Sequence, residues 1–108
     1  MPDCRRMDNK KLASMLGLAQ KAGKLVSGEF AVEMTVKNNK ALLLLLAADS
    51  SDASKKNYRD MAAFYNVPLY EILSKQELGE AIGKAQRAAM AVTDSGFSRA
   101  LEKLMSTT

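Results

Sequence analysis

The chain has 108 residues and a formal net charge of +4, with 47% hydrophobic and 26% charged residues. That length suits one domain with one core, and the balance is that of a globular protein rather than a disordered one. Histidine is absent, cysteine occurs once, and no Walker-type or dinucleotide glycine motif is present. The usual Ser-His-Asp and Cys-His nucleophilic sites are thereby excluded, as are most zinc sites.

An enzyme is not expected, nor a cofactor, nor a metal site. The longest apolar run, Ala41 to Ala48, is strand length and far short of a membrane span. Arg5 and Arg6 have no apolar segment behind them, which argues against a secretory signal. A lone Cys4 fits a reducing compartment, so a cytoplasmic location is expected, and beside Arg5 and Arg6 it reads as incidental. Residues 1–24 carry six basic side chains against two acidic ones, while the remainder is balanced at ten and ten. A charge excess gathered in one stretch favours a polyanionic partner, although a solvated basic helix accounts for the count equally well.

In chain order, residues 1–7 read as a flexible N-terminal arm preceding a single domain over 8–108. Asp8 is placed to cap a helix from Asn9 to about Ala22, with Leu12, Met15, Leu16 and Ala19 as its buried stripe. Gly23 ends it, and Lys24 to Val26 is room for a very short strand. Ser27 is expected to cap a second helix that stops near Asn38-Asn39. Leu42 to Ala48 is a continuous apolar run, the pattern of a strand covered on both faces.

The polar stretch from Asp49 to Ser54 opens a third helix reaching about Tyr65, with Tyr58, Met61, Ala62 and Tyr65 at helical spacing. Asn66-Val67-Pro68 is a turn, and Pro68 to Leu73 the next strand. Ser74 and Glu77 form an S-x-x-E capping box on a short helix weakened by Gly79 and Gly83. Lys84, Gln86 and Arg87 then lead into an apolar strand over Ala88 to Val92. Ser95-Gly96-Phe97 starts a last helix with Phe97, Ala100, Leu101 and Leu104 on its apolar face. This alternation predicts an α/β fold, a three-layer α/β/α sandwich around a four-stranded mixed sheet.

The segment Ser74-Lys75-Gln76-Glu77-Leu78-Gly79-Glu80-Ala81-Ile82-Gly83 resembles the S-K-x-x-L-G-x-A-x-G signature of the L-seven-Ae ribosomal protein family. Ala22 to Gly28, and the apolar run ending Ala47-Ala48-Asp49, stand at that family's spacing, so the likeness spans Leu12 to Lys103. Residues 17–24 and Val92 to Phe97 are more specifically similar to its bacterial YlxQ-like branch. The resemblance implies the same sandwich and a small cytoplasmic protein that binds structured RNA, ribosomal RNA being the expected kind, with a ribosomal or translation-factor protein as a further partner. Many family members bind kink-turn RNA, holding it by the N-terminus of the second helix and the loop beside the last short helix.

Carried onto this chain, that surface comprises Lys21, Lys24, Ser27, Gly28, Glu29, Phe30, Ala31, Met34, Lys37, Lys75, Lys84 and Arg87. Gly28 keeps the family glycine, but the G-x-N-E-x-x-K pattern of the kink-turn readers does not continue. Its Asn, Glu and Lys positions are occupied by Phe30, Ala31 and Met34. Guanine edges need matching donors and acceptors, each good pair being worth about 1–3 kcal/mol of discrimination. Standard kink-turn selectivity is therefore not expected. Lys21 and Lys24 precede the Gly28 turn, Lys84 and Arg87 precede the last strand, and the two turns are expected to lie together. Phe30 and Met34 share a helix face. They either pack into the core, stack on unpaired bases or anchor a protein, and the last of these defines the alternative of a protein-interaction module. Lys55, Lys56 and Arg59 read as a solvated helix face.

Overall fold

The structure, a computed structural model, describes residues 2–105, with side chains from Lys10 onward. Its elements are α1 (Pro2–Lys21), β1 (Leu25–Ser27), α2 (Glu29–Lys37), β2 (Leu43–Leu46), α3 (Asp52–Tyr65), β3 (Leu69–Glu71), α4 (Lys75–Ala81), β4 (Ala89–Val92) and α5 (Ser95–Met105). The strands form one sheet in the order β1-β4-β2-β3. β4 runs antiparallel to both β1 and β2, and β3 runs parallel to β2. The expected mixed four-stranded sheet is thus present.

The period of two along the strands sorts their side chains into two cores. Leu25, Leu43, Leu45, Met90 and Val92 face one side, where Leu12 and Leu16 of α1, Leu78 of α4 and Leu101 of α5 cover them. Leu44, Leu46, Ala89 and Ala91 face the other side, against Val32 and Val36 of α2 and Tyr58 and Ala62 of α3. Every residue of β2 and β4 is buried, which is why both read as unbroken apolar runs.

Several expected boundaries move. The first helix begins at Pro2, so Asp8 lies inside it rather than capping it, and residues 2–7 of the expected arm are continuous with α1. Proline suits a first helical position because its missing N–H would have no helical partner there. The side chains of Cys4, Arg5 and Arg6 lie outside the described residues. Ser27 belongs to β1, and Gly28 takes the N-cap of α2 at φ 96, a conformation open to glycine and costly for other residues. The third strand stops at Glu71 because Leu73 turns into the left-handed region at φ 57, just ahead of the α4 cap. The capping box itself is complete. Ser74 Oγ accepts from Glu77 N–H at 3.1 Å, and Glu77 Oε1 accepts from Ser74 N–H at 2.8 Å.

Two charged contacts tie α3 to β3. Arg59 Nε donates to Glu71 Oε2 at 2.6 Å, and Lys55 Nζ stands 4.0 Å from Glu71 Oε1. The solvated cluster expected at Lys55, Lys56 and Arg59 is therefore largely paired, Lys56 bridging to Asp60 at 3.3 Å. The hydrogen bond from Arg59 holds the Glu71 carboxyl below the ordinary glutamate range, with the charges of Arg59 and Lys55 adding to it. A depressed folded-state pKa means that the unfolded chain takes up this proton first as the solution is acidified. Its stabilisation is complete above the ordinary value of about 4.3 and is lost as pH falls through the lower folded value. Glu71→Gln is expected to flatten the loss of stability on acidification over that window, as read by urea unfolding at a series of pH values. An unchanged acid limb would show that the pair contributes nothing.

Candidate nucleic-acid interface

Strand direction gathers the candidate residues. β1, β2 and β3 all point their C-terminal ends the same way, and antiparallel β4 starts there. Helices α2, α3 and α4 therefore all begin at one end of the sheet, and the loop over residues 82–88 arrives at the same end. In open α/β sheets the carboxyl ends of the strands are where ligands bind, and helix N-termini there present amides and positive dipole ends.

The three helix starts differ. Ser51 Oγ caps α3 by accepting from Ser54 N–H at 3.2 Å, and the capping box closes α4. Gly28 brings no side chain to α2, so the first-turn amides of that helix have no side-chain cap. A cleft of about 370 Å³ opens against this start, lined by Ser27, Gly28, Glu29, Lys75, Gln86, Arg87 and Ala88. Gly28 N–H is anchored on Ala89 C=O at 3.2 Å, which fixes the turn to the sheet.

Arg87 is the most connected side chain of the cleft. Its Nε donates to Ser27 Oγ at 3.3 Å, and its Nη1 donates to the carbonyls of Ala85 at 3.3 Å and Gln86 at 3.0 Å. The guanidinium thus folds its own loop and pins it to the end of β1, while Nη2 lies outside those three bonds. Gly79 allows the loop to lie where it does. A Cβ on that buried glycine would collide with Ala85 C=O and approach Gln86 Cα to 3.0 Å. Lys84 N–H returns to Gly79 C=O at 2.9 Å, closing the turn.

Of the residues singled out from the sequence, Ser27, Gly28, Glu29, Lys75 and Arg87 meet in the cleft. Phe30 and Met34 follow on α2. Both are exposed, at 69% and 47%, so the core-packing possibility for them does not hold. The core face of α2 is occupied by Val32 and Val36, and Ala31 is exposed as well. Glu29 and Glu33 lie toward Tyr58 of α3, whose hydroxyl pKa is pushed up to about 12 by burial and then by these two carboxylates.

Lys21 and Lys24 are not at this end. Lys24 C=O accepts from Thr93 N–H at 3.0 Å, beyond the far end of β4, while Gly28 pairs near its start. Four residues of extended chain at about 3.3 Å each separate Lys24 from Gly28 by about 13 Å. The expected union of the Lys21–Lys24 pair with the Lys84–Arg87 turn is therefore corrected: β1 carries the chain from one end of the sheet to the other. Lys37 sits at the last turn of α2, paired with Glu33 at 3.0 Å, and Lys84 is exposed on the turn without lining the cleft.

Gln86 and Ala88 line the cleft although neither was singled out as a contact. Asp49, which only marked the end of an apolar run, accepts from Lys75 N–H at 2.9 Å. Its position just past a buried strand was the available signal. Among the described residues no group of three or more His, Cys, Asp or Glu side chains is placed to hold a metal ion, and no helix is long and apolar enough to cross a membrane.

Comparison with known proteins places this architecture. Two relatives are called RNA-binding protein YlxQ. The one from Bacillus subtilis is 42% identical over 91 residues, covering 84% of this chain and 91% of the relative. The one from Enterococcus faecium is 34% identical over 98 residues, covering 91% and 94%. A solved structure of a Bacillus halodurans protein of unknown function is 39% identical with a TM-score of 0.84, covering 88% of this chain and 96% of that one. The Giardia lamblia 15.5kD RNA binding protein shares the fold at a TM-score of 0.75 and 18% identity, covering 91% and 84%. The family model for the Ribosomal protein L7Ae/L30e/S12e/Gadd45 family matches residues 10–102, and with these relatives the chain belongs to that family, in its YlxQ-like branch.

Proposed function

We propose that this protein binds structured RNA at the cleft between the start of α2 and the 84–88 loop, by docking and without chemistry. The observation that carries the reading is the meeting of an uncapped helix start, Arg87 and Lys75 in one cleft, one residue before an exposed aromatic. The first-turn amides of α2, Arg87 and Lys75 would take phosphate oxygens, giving affinity that falls steeply with salt. Glu29 would accept from a base amino group, a role suited to a carboxylate in a site that otherwise attracts anions. Phe30 would stack on an unpaired base, worth roughly 1–3 kcal/mol. The names of the YlxQ relatives support an RNA partner.

The target that fits is a structured RNA with a splayed base, ribosomal RNA being the natural class, rather than a standard kink-turn. Phe30, Ala31 and Met34 offer no side-chain hydrogen bonds for sheared G·A edges. A role in translation, in the cytoplasm, follows from that class. Phe30→Ala is expected to weaken binding about 5- to 100-fold to a hairpin RNA with an unpaired loop, and Phe30→Tyr to retain it, both read by fluorescence anisotropy. Equal binding by wild type and Phe30→Ala would remove Phe30 from the interface.

A second reading, a protein-docking module, is favoured by Phe64. This residue is 80% exposed on α3, the partner of α2 in the same layer, and packs edge-on against Tyr65 at 4.9 Å. In that case Phe30→Ala would disrupt a protein assembly while charge reversal at Arg87 left it intact.

A further inference from the structure

Asp49 is an acidic residue at the end of the molecule assigned above to a polyanion. Simple electrostatics makes it a liability there, and its removal should tighten binding. The hydrogen bonds imply the opposite. Asp49 Oδ1 accepts from Lys75 N–H at 2.9 Å, fixing the first residue of α4 to the β2–α3 connection. Lys75 C=O in turn accepts from Arg87 N–H at 3.1 Å. Arg87 Nε then donates to Ser27 Oγ at 3.3 Å, and the next residue, Gly28, is tied to Ala89 C=O at 3.2 Å.

A continuous relay therefore runs from Asp49 through the Lys75 peptide and Arg87 to the start of α2. It joins four segments far apart in sequence, and three of its members, Lys75, Arg87 and Ser27, line the cleft while Asp49 does not. The capping box fixes the first turn of α4 internally, but it does not fix α4 relative to β2. In this relay Asp49 makes that connection from the β2–α3 side.

We infer that Asp49 is a positioning residue of the cleft. It needs no contact with RNA, and it sets the place of Lys75 and, through the Lys75 carbonyl, of the Arg87 loop against Ser27. The inference rests on the RNA reading for its functional consequence and on the hydrogen bonds alone for the relay. Its signature is a sign: loss of the Asp49 acceptor weakens anion binding even though it also removes a negative charge from an anion-binding end.

The test uses the full chain with Asp49→Ala, Asp49→Asn and Ser27→Ala. Affinity for a hairpin RNA with an unpaired loop is measured at two salt concentrations, and amide hydrogen exchange is followed in the free proteins. Asp49→Ala is expected to weaken RNA binding about tenfold, the range seen when one member of a shared network is removed. The salt slope should fall by no more than about one phosphate contact, because Asp49 itself touches no phosphate and only Lys75 and Arg87 are displaced. Asp49→Asn should stay within about twofold of wild type, because an amide oxygen accepts the same N–H. The double variant Asp49→Ala/Ser27→Ala should lose less than the two single losses combined, since both cut one relay. Exchange at the Arg87 amide should quicken in Asp49→Ala and not in Asp49→Asn.

Equal or tighter RNA binding by Asp49→Ala would overturn the positioning role. So would unchanged exchange at Arg87, which would show that the relay transmits nothing. Absence of RNA binding by wild type would overturn the RNA reading, and the exchange at Arg87 would then decide the relay separately.

Discussion

Gly79→Ala is expected to lower the stability of the fold by about 2–3 kcal/mol, the upper part of the range for overpacking, and to abolish the cleft. In an exposed helix interior the same change would stabilise by roughly 1 kcal/mol, because alanine is the better helix former. Here the new methyl would meet backbone rather than a side chain that could rotate away. Ala85 C=O stands in its place, and Gln86 Cα is 3.0 Å off. Either α4 tilts off α1 or the 84–88 loop moves outward, carrying Arg87 from Ser27. The first route is costly too, because it breaks a close packing: a Cβ on Gly17 would already stand 3.0 Å from Ala81 C=O, which shows how closely α1 and α4 approach. Urea unfolding of the wild type and Gly79→Ala reads the loss directly. A variant as stable as wild type would mean that the loop relocates without cost.

The second large effect is on binding. Arg87→Glu is expected to weaken RNA affinity about 10- to 100-fold, and to reduce the salt slope by about one phosphate contact. It reverses a charge in the cleft, breaks the bond to Ser27 and sets a second carboxylate near Glu29. Arg87→Lys separates these causes, because it keeps the charge and loses the fork that reaches Ser27, Ala85 and Gln86 together. An intermediate loss is expected of it. Lys24→Glu changes the same amount of charge at the far end of β1, about 13 Å from Gly28, and should leave affinity within about twofold. Titration of the three variants against one hairpin RNA distinguishes a placed site from a general excess of positive charge. Equal losses in Arg87→Glu and Lys24→Glu would favour the latter.

The contrast between Lys24 and Arg87 marks what could be read from the chain and what could not. Local signals were legible because local physics sets them. The Ser74–Glu77 capping box, the apolar stripe at Leu12, Leu16 and Ala19, and the buried run through Leu43 to Leu46 all appear where periodicity and capping chemistry put them. Together with the alternation of elements they led to the α/β/α sandwich. The site was only half legible. Lys24 and Ser27 are three residues apart, and proximity in sequence suggested proximity in space. A strand of three residues is enough to put them at opposite ends of the sheet, and strand length is the property that hydrophobic pattern fixes least well.

Other features depend on contacts between distant segments. Arg87 looked like a free phosphate ligand, whereas its bond to Ser27 joins residues 60 apart in sequence. Asp49 and Lys75 meet across 26 residues, and no spacing rule connects them. Gly79 looked like a weak point in a short helix, and its cause became visible only when the Ala85 carbonyl was seen to occupy the space. Phe30 shows the converse. Its neighbours at helical spacing did not reveal whether it faced the core or solvent, because Val32 and Val36 alone satisfy the buried face of α2.

The proposed site holds RNA at the end of the sheet where α2 begins. Its most direct test is a ¹⁵N-labelled titration of the wild-type chain with a hairpin RNA bearing an unpaired loop, following every backbone amide. Saturable shifts are expected to concentrate on Gly28, Glu29, Phe30, Lys75 and Gln86 to Ala88, with Lys24, Lys40 and Thr93 at the opposite end nearly unmoved. Shifts centred on Lys24, Lys40 and Thr93, or no saturable shift at all, would contradict it.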